Sequence, residues 1–353
     1  MSTASTPASP TAPAEKTNRI GLPKSAYMGG KSTLCSGCGH DSITGQIIQA
    51  FFDAGIDPKN VAKLSGIGCS SKTPAYFLGQ AHGFNSVHGR MPSIATGAHM
   101  ANRKLKCIGV SGDGDTASIG LGQFCHLIRR NVETLYIIEN NGVYGLTKGQ
   151  FSATADRGSA HKKGDVNEMP PIDCCGLAIE LGCGFVARGF SADFKQLKSL
   201  LEAAIHHNGT ALLDIVSPCV TFNNHPTSTK SYKYSKDHEL PLHEIDVIPH
   251  FEPQAEIHVE PGASREVDLY DGTKIILRKL EADYDPQDRA QASKVIDRAR
   301  QAGEFLTGLL FFDPKRRDYA DQLNMIDTPL AALPQSTLRP GPKALEEIMA
   351  SLT

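Results

Sequence analysis

Between residues 34 and 219, short apolar runs alternate with amphipathic segments, and this alternation restricts the possible fold more than any other property of the chain. Runs at 61–65, 106–111, 134–139, 185–189 and 211–216 have the length and apolar content of buried strands. Before and between them, Ile43, Ile47, Ile48, Phe51 and Phe52 recur at helical spacing and stop at Gly55. Residues 116–130 read as a further helix, and Phe194, Leu197, Leu201, Ala204 and Ile205 mark another that ends at Gly209. The expected fold is α/β, a mostly parallel sheet with helices on both faces, which binds ligands beyond the carboxyl ends of its strands.

The flanks read differently. Residues 1–19 are rich in Ser, Thr, Ala and Pro, contain no Leu, Val or aromatic, and are predicted to be a disordered tail. Residues 20–219 form the site-bearing domain, and 220–353 a C-terminal extension expected to pack on a partner subunit. Within it, 220–261 reads as a surface excursion, 266–269 and 274–278 as two strands around an Asp271-Gly272 turn, and 287–310 as a charged helix.

Charge excludes two function classes. Thirty-six basic against 38 acidic side chains leave no field to capture nucleic acid or an anionic membrane. No apolar run reaches the roughly 20 residues of a membrane span. Nine cysteines, an odd number without a secretory signal, point to a reducing, cytoplasmic setting with thiols free or bound to metal.

The chemistry concentrates at predicted strand ends. One strand runs into Gly112-Asp113-Gly114-Asp115 and a helix, and the next ends at Asn140-Asn141-Gly142-Val143. Glycines permit close backbone approach, and a helix start offers amide donors to a phosphate. A carboxylate beside a diphosphate needs a cation between them, and Mg²⁺ suits oxygen donors from Asp113, Asn141 and a backbone carbonyl. The same Gly112-Asp-Gly114-Asp-Thr-Ala117 also fits a dinucleotide fingerprint, which would leave Asp113 and the Asn pair without a task.

Cys35 and Cys38 make a C-x-x-C that fits a redox dithiol, half a zinc site or half an iron–sulfur site. Cys69 and Cys219 follow predicted strands, so their thiolates can converge on the same sheet edge, and four thiolates there suit a [4Fe–4S] cluster. Zinc stays open. Cys107, Cys125, Cys174, Cys175 and Cys183 read as core or near-core thiols. His40 reads as a helix-start residue, and His206-His207 as a pair favoured by a helix dipole.

The Gly-Asp-Gly and Asn-Asn pair resembles the diphosphate motif of thiamine diphosphate enzymes, and with the cysteines the chain resembles the β subunits of 2-oxoacid:ferredoxin oxidoreductases. The matching stretches include Cys35-Ser-Gly-Cys38-Gly-His40, Gly66-Ile-Gly-Cys69-Ser, His88-Gly-Arg90, Tyr144-Gly-Leu-Thr-Lys-Gly-Gln150 and Ser217-Pro-Cys219. The Tyr144 to Gln150 run looks like the 2-oxoglutarate or broad-specificity members. The resemblance implies a thiamine diphosphate-binding fold, with Cys35, Cys38, Cys69 and Cys219 holding a [4Fe–4S] cluster and Asp113, Asn141 and the Val143 carbonyl holding Mg²⁺. Ile67, Gly68, Cys69, Ser70, Gly114, Asp115, Gly145 and Leu146 would contact thiamine diphosphate, and Leu146 would line the acyl pocket. His88 is a candidate for diphosphate contact, Lys72 for the distal carboxylate of 2-oxoglutarate, and Lys148 for a phosphate of coenzyme A. Ser36 departs from relatives that carry Pro there.

What the resemblance implies is oxidative decarboxylation of 2-oxoglutarate to succinyl-CoA, with coenzyme A as cosubstrate and electrons passing to ferredoxin. No second thiamine-type domain is visible in the sequence, so an α subunit is expected to supply the pyrimidine half. Two alternatives remain: a non-redox thiamine diphosphate decarboxylase or carboligase with structural cysteines, and a metal-binding electron-transfer module.

Overall fold

The computed structural model describes residues 15–160, 164–225, 228–248, 264–268, 274–279, 284–339 and 341–352. In chain order the elements are α1 (Gly39–Ala54), β1 (Val61–Ser65), β2 (His82–Asn85), α2 (Met91–Ala101), β3 (Lys106–Gly112), α3 (Leu121–Arg130), β4 (Thr134–Asn140), β5 (Val143–Tyr144) and β6 (Gln150–Phe151). Then follow α4 (Cys174–Glu180), β7 (Phe185–Phe190), α5 (Phe194–His206), β8 (Thr210–Val216), α6 (Tyr232–His238), β9 (Glu239–Pro241), β10 (His243–Ile248), β11 (Ser264–Asp268) and β12 (Lys274–Lys279). The chain closes with α7 (Arg289–Ala302), β13 (Phe305–Phe312), α8 (Tyr319–Gln322), α9 (Gln335–Leu338) and α10 (Pro342–Ser351).

Eight strands form the main sheet in the order β2-β1-β3-β4-β8-β7-β13-β9. The pairs from β2 through β7 are parallel, and β13 alone runs antiparallel to its neighbour β7. β1, β4 and β8 are buried along their whole length, which is why they read as unbroken apolar runs. Alternate residues serve opposite faces: Leu135 and Ile137 pack with α1 and α5, whereas Tyr136 and Ile138 pack with α2, α3, α4 and α7. The α1 helix ends where Gly55 takes φ +60 and its amide returns to Phe51 and Phe52, a left-handed stop that a side chain would strain.

Strand order reverses around β1. The chain leaves β1 for edge strand β2, then crosses back to lay β3 on the other side of β1. Carboxyl ends that diverge at such a point open a crevice.

Four expectations change. The extension does not begin at 220 as a separate layer, because β9 and β13 belong to the main sheet. The charged helix read at 287–310 stops at Gly303 with φ +69, and Phe305–Phe312 is a buried strand. The helix read at 116–130 opens instead with a π-helical turn at Gly114–Ile119, in which Gly120 N donates to Asp115 O at 2.8 Å. Of the expected tail, residues 1–14 lie outside the described residues, but Asn18 Nδ2 reaches Tyr27 Oη at 2.7 Å and Phe52 O at 3.0 Å. The two extension strands do pair, Ser264 against Arg278, with β10 as a third strand that sequence reading missed. Their turn at Asp271-Gly272 lies outside the described residues.

Candidate cofactor crevice

The crevice opens at the ends of β1, β3 and β4. Ile67, Gly68, Cys69 and Ser70 wall it from β1, Asp113, Gly114 and Asp115 from β3, and Asn141, Val143, Gly145 and Leu146 from beyond β4, while His88 closes one side. All the residues expected to contact the cofactor or Mg²⁺ therefore border one space. Lys72 and Lys148 do not. Lys72 is half-buried in the turn after Cys69, and Lys148 is exposed at φ +80 at the tip between β5 and β6.

Asp113 is the buried carboxylate at the mouth of β3. Its Oδ1 accepts from Asn141 N at 3.2 Å, and its Oδ2 accepts from Thr154 Oγ1 at 2.7 Å and from Ser152 Oγ. Burial pushes its carboxyl above the usual range, against the pull of those donors, so a charged Asp113 calls for a cation. Asn141 holds its turn by accepting from Val143 N at 3.1 Å, and its carbonyl accepts from Asn223 Nδ2 at 2.7 Å. Asn140, the other half of the pair, does not line the crevice; it donates to Asp214 Oδ1 at 2.9 Å.

Asp115 lines the crevice and also braces its wall. One oxygen accepts from Gly89 N at 2.8 Å and contacts His88 Nδ1, and the other accepts from Ser111 Oγ at 2.6 Å. It fixes the His88-Gly89 turn. Gly66 and Gly114 leave no room for a Cβ, which would overlap Asp115 Oδ2 at the first and approach the Tyr144 ring to 2.5 Å at the second. Buried oxygens without hydrogen-bond partners, Ser70 Oγ and both Glu139 oxygens, also belong to crevice-lining residues. Close backbone, unpartnered hydroxyl and buried carboxylates together form an oxygen-rich cradle that fits a diphosphate with a hard divalent cation.

The four cysteines meet beside this cradle. A Cβ on Gly145 would lie 3.3 Å from Cys69 Sγ and 4.0 Å from Cys219 Sγ. Cys38 precedes α1, its amide donating to Cys35 O at 3.0 Å, and its thiol is pushed up to about 12 by burial, with Glu139 and Cys219 adding to it. Burial likewise raises Cys69, with Cys219 and Cys35 contributing. Four thiolates packed together repel one another unless a cationic centre lies between them. Zinc bonds of about 2.3 Å would draw sulfurs to roughly 3.8 Å. Among the described residues, no three cysteine sulfurs lie within 4.8 Å of one another.

Glu139, Thr221 and Tyr232 join the site without a prior signal, and His40 takes a larger part than expected. Glu139, fully buried, faces His40 Nδ1 at 3.6 Å. His40 is no mere helix-start residue: its Nδ1 also meets Ser217 Oγ at 2.6 Å, and burial lowers it to about 4. Thr221 and Tyr232, from the extension, cover the cysteine loop through Cys35 Sγ at 3.8 Å and Gly37 O at 3.1 Å. His40 and Ser217 both lie inside the matched cysteine motifs. His207 is neutral, pushed to about 3 by burial, and packs against Phe185 and Phe312, so it has no charge for a helix dipole to favour.

Residues 66–215 match the C-terminal TPP binding domain family of thiamine pyrophosphate enzymes. The chain is 41% identical over 222 residues to the 2-oxoacid:ferredoxin oxidoreductase subunit beta of a Sulfolobus species, covering 62% of this chain and 70% of that one. It is 39% identical over 191 residues to the 2-oxoglutarate oxidoreductase subunit KorB of Mycobacterium tuberculosis, covering 54% of this chain and 51% of that one. Its fold matches the solved structure of a 2-oxoglutarate:ferredoxin oxidoreductase from Magnetococcus marinus with 2-oxoglutarate, coenzyme A and succinyl-CoA bound. The TM-score is 0.70 at 26% identity, over 93% of this chain and 98% of that one.

Proposed function

The chain belongs to the family of 2-oxoacid:ferredoxin oxidoreductase β subunits, and from that premise we propose that it serves the oxidative decarboxylation of 2-oxoglutarate to succinyl-CoA, with ferredoxin as electron acceptor. The observation carrying this reading is the shared wall: Cys69 and Gly145 border the crevice that Asp113 and Asn141 also line, and Cys219 lies against Gly145.

Asp113, Asn141 and the Val143 carbonyl would hold Mg²⁺, and the Gly114 backbone, Ser70 and His88 would receive the diphosphate. Bound there, thiamine diphosphate supplies the electron sink on which a 2-oxo acid loses CO₂. Cys35, Cys38, Cys69 and Cys219 would hold one [4Fe–4S] cluster beside it. Leu146, 54% exposed at the rim, offers apolar surface to the acyl chain, while Lys72 and Lys148, outside the wall, would bind the distal carboxylate and coenzyme A.

The crevice contains half of a thiamine site, so an α subunit would bring the pyrimidine half. The exposed Leu345, Ile348 and Met349 of α10 are the surface we assign to subunit packing. Among the described residues no helix is long and apolar enough to cross a membrane, and nine free thiols accord with a reducing cytoplasm.

Co-expression with the candidate α subunit tests the reading: 2-oxoglutarate should reduce ferredoxin in a CoA-dependent reaction, with turnover at least tenfold above pyruvate. A colourless, iron-free but active complex would instead make this a non-redox thiamine enzyme with structural cysteines.

A further inference from the structure

Far from the crevice, at the opposite end of the sheet, three chain segments bring His99, Glu133 and Asp318 together with their ligand atoms within 4.8 Å of one another. His99 comes from the last turn of α2, Glu133 precedes β4, and Asp318 caps α8 after the final strand. His99 is fully buried, and neither ring nitrogen has a hydrogen-bond partner; Nε2 stands 3.9 Å from Asp318 Oδ1. Asp318 Oδ2 accepts no hydrogen bond and faces the Arg103 guanidinium at 3.5 Å. A buried imidazole without partners is costly unless something fills the space between the donors.

Charge around the cluster points the same way. Arg103 faces Asp318 at 3.5 Å and Asp327 at 3.6 Å and contacts Asp321, while Lys106 holds Glu133 Oε1 at 2.8 Å. Carboxylates outnumber the cations here even with Arg317, whose guanidinium contacts Asp321 O at 2.6 Å. Lys106 leaves the second Glu133 oxygen available. The donors are one imidazole nitrogen and carboxylate oxygens, a mixture that favours Zn²⁺ over Mg²⁺.

We propose that His99, Glu133 and Asp318 form a structural zinc site that fastens the segment after β13 to α2 and the sheet. Zinc bonds of about 2.0–2.1 Å set donors roughly 3.4 Å apart, so the trio need close by only about an ångström. Glu133, 23% exposed, is the member free to swing and gives the ion its entry. The same corner is already tied by Asn131, whose Nδ2 donates to Arg317 O at 3.0 Å and whose carbonyl accepts from Tyr319 N at 3.0 Å.

The test is Zn²⁺ titration of the full chain, purified with any companion subunit and assayed for iron in parallel. One equivalent should bind saturably and raise the melting temperature by several degrees, and chelation should reverse the rise. His99→Gln should weaken that binding ten- to hundredfold and abolish the thermal shift while leaving iron content unchanged. Glu133→Gln, at the partly exposed position, should weaken it about tenfold even where the histidine variant folds poorly. Binding unaltered by both variants would overturn the proposal, as would zinc uptake that disappears in Cys35→Ser, Cys38→Ser and persists in His99→Gln. Absence of a saturable equivalent would do the same.

Discussion

Thr154 donates its hydroxyl to Asp113 Oδ2 at 2.7 Å across 41 residues of chain, so the loop after β6 aims the carboxylate at the end of β3. Removing that donor while Ser152 and Asn141 still hold the carboxylate should cost about 1–1.4 kcal/mol, within the net range of one typical intramolecular hydrogen bond. Thr154→Val should therefore weaken Mg²⁺-dependent thiamine diphosphate binding roughly five- to tenfold, and Asp113→Ala should abolish it. Calorimetry is the measurement of choice because the chain contains no Trp. Equal affinity in Thr154→Val and the parent would refute the aiming role.

Two glycines should respond to alanine in opposite directions. At Gly66 a methyl overlaps Asp115 Oδ2, so Gly66→Ala should displace the His88-Gly89 turn and weaken diphosphate binding by at least tenfold. At Gly122, inside α3, a methyl meets nothing within 4 Å, and Gly122→Ala should add roughly 0.5–1 kcal/mol of stability. Thermal melts and cofactor titrations of both variants check the contrast.

Acid should destabilise the fold partly through His207. Burial lowers its folded pKa to about 3, whereas the unfolded chain takes up the proton near pH 6.5. The unfolded state thus binds more protons below about pH 6.5, and the stability from a neutral His207 is lost as pH falls below that value. The loss runs at up to about 1.4 kcal/mol per pH unit. His207→Leu should flatten the decline in urea midpoint between pH 6.5 and 5; an unchanged slope would contradict it.

Thiol reactivity should divide along the line of burial. In iron-free native protein, maleimide should label Cys35 first, with Cys38, Cys69, Cys125 and Cys219 following. Cys107, Cys174, Cys175 and Cys183 should react only after unfolding. Restoring the cluster should protect Cys35, Cys38, Cys69 and Cys219 and leave Cys125 reactive. Peptide mass spectrometry reads both patterns.

The central parallel strands were legible because they are buried on two faces and so read as apolar runs; β1 begins and ends at the predicted residues, and β4 and β8 differ by one. The crevice was legible because glycine, carboxylate and carboxamide all fall at strand ends. Edge strand β2, exposed along its length, has no apolar signature to find. β13 was merged with α7 because its apolar run abuts a helix, although Gly303 marks the break. The His40–Glu139 pair joins residues from α1 and β4, and only folding brings them within reach. Asp115 was legible as a crevice residue, but its bracing of the His88-Gly89 turn, 26 residues away in sequence, appears only in the fold.

β13 also sets an order of events. It covers the edge of β7, yet nearly ninety residues separate Val216 from Phe305. At about 5–20 residues per second, a ribosome needs roughly 5–20 s to deliver the missing strand after β8 is made. Throughout that interval the nascent sheet has a bare flank of backbone donors and acceptors beside β7. Among the described residues, the strand that closes that flank is also the last in chain order.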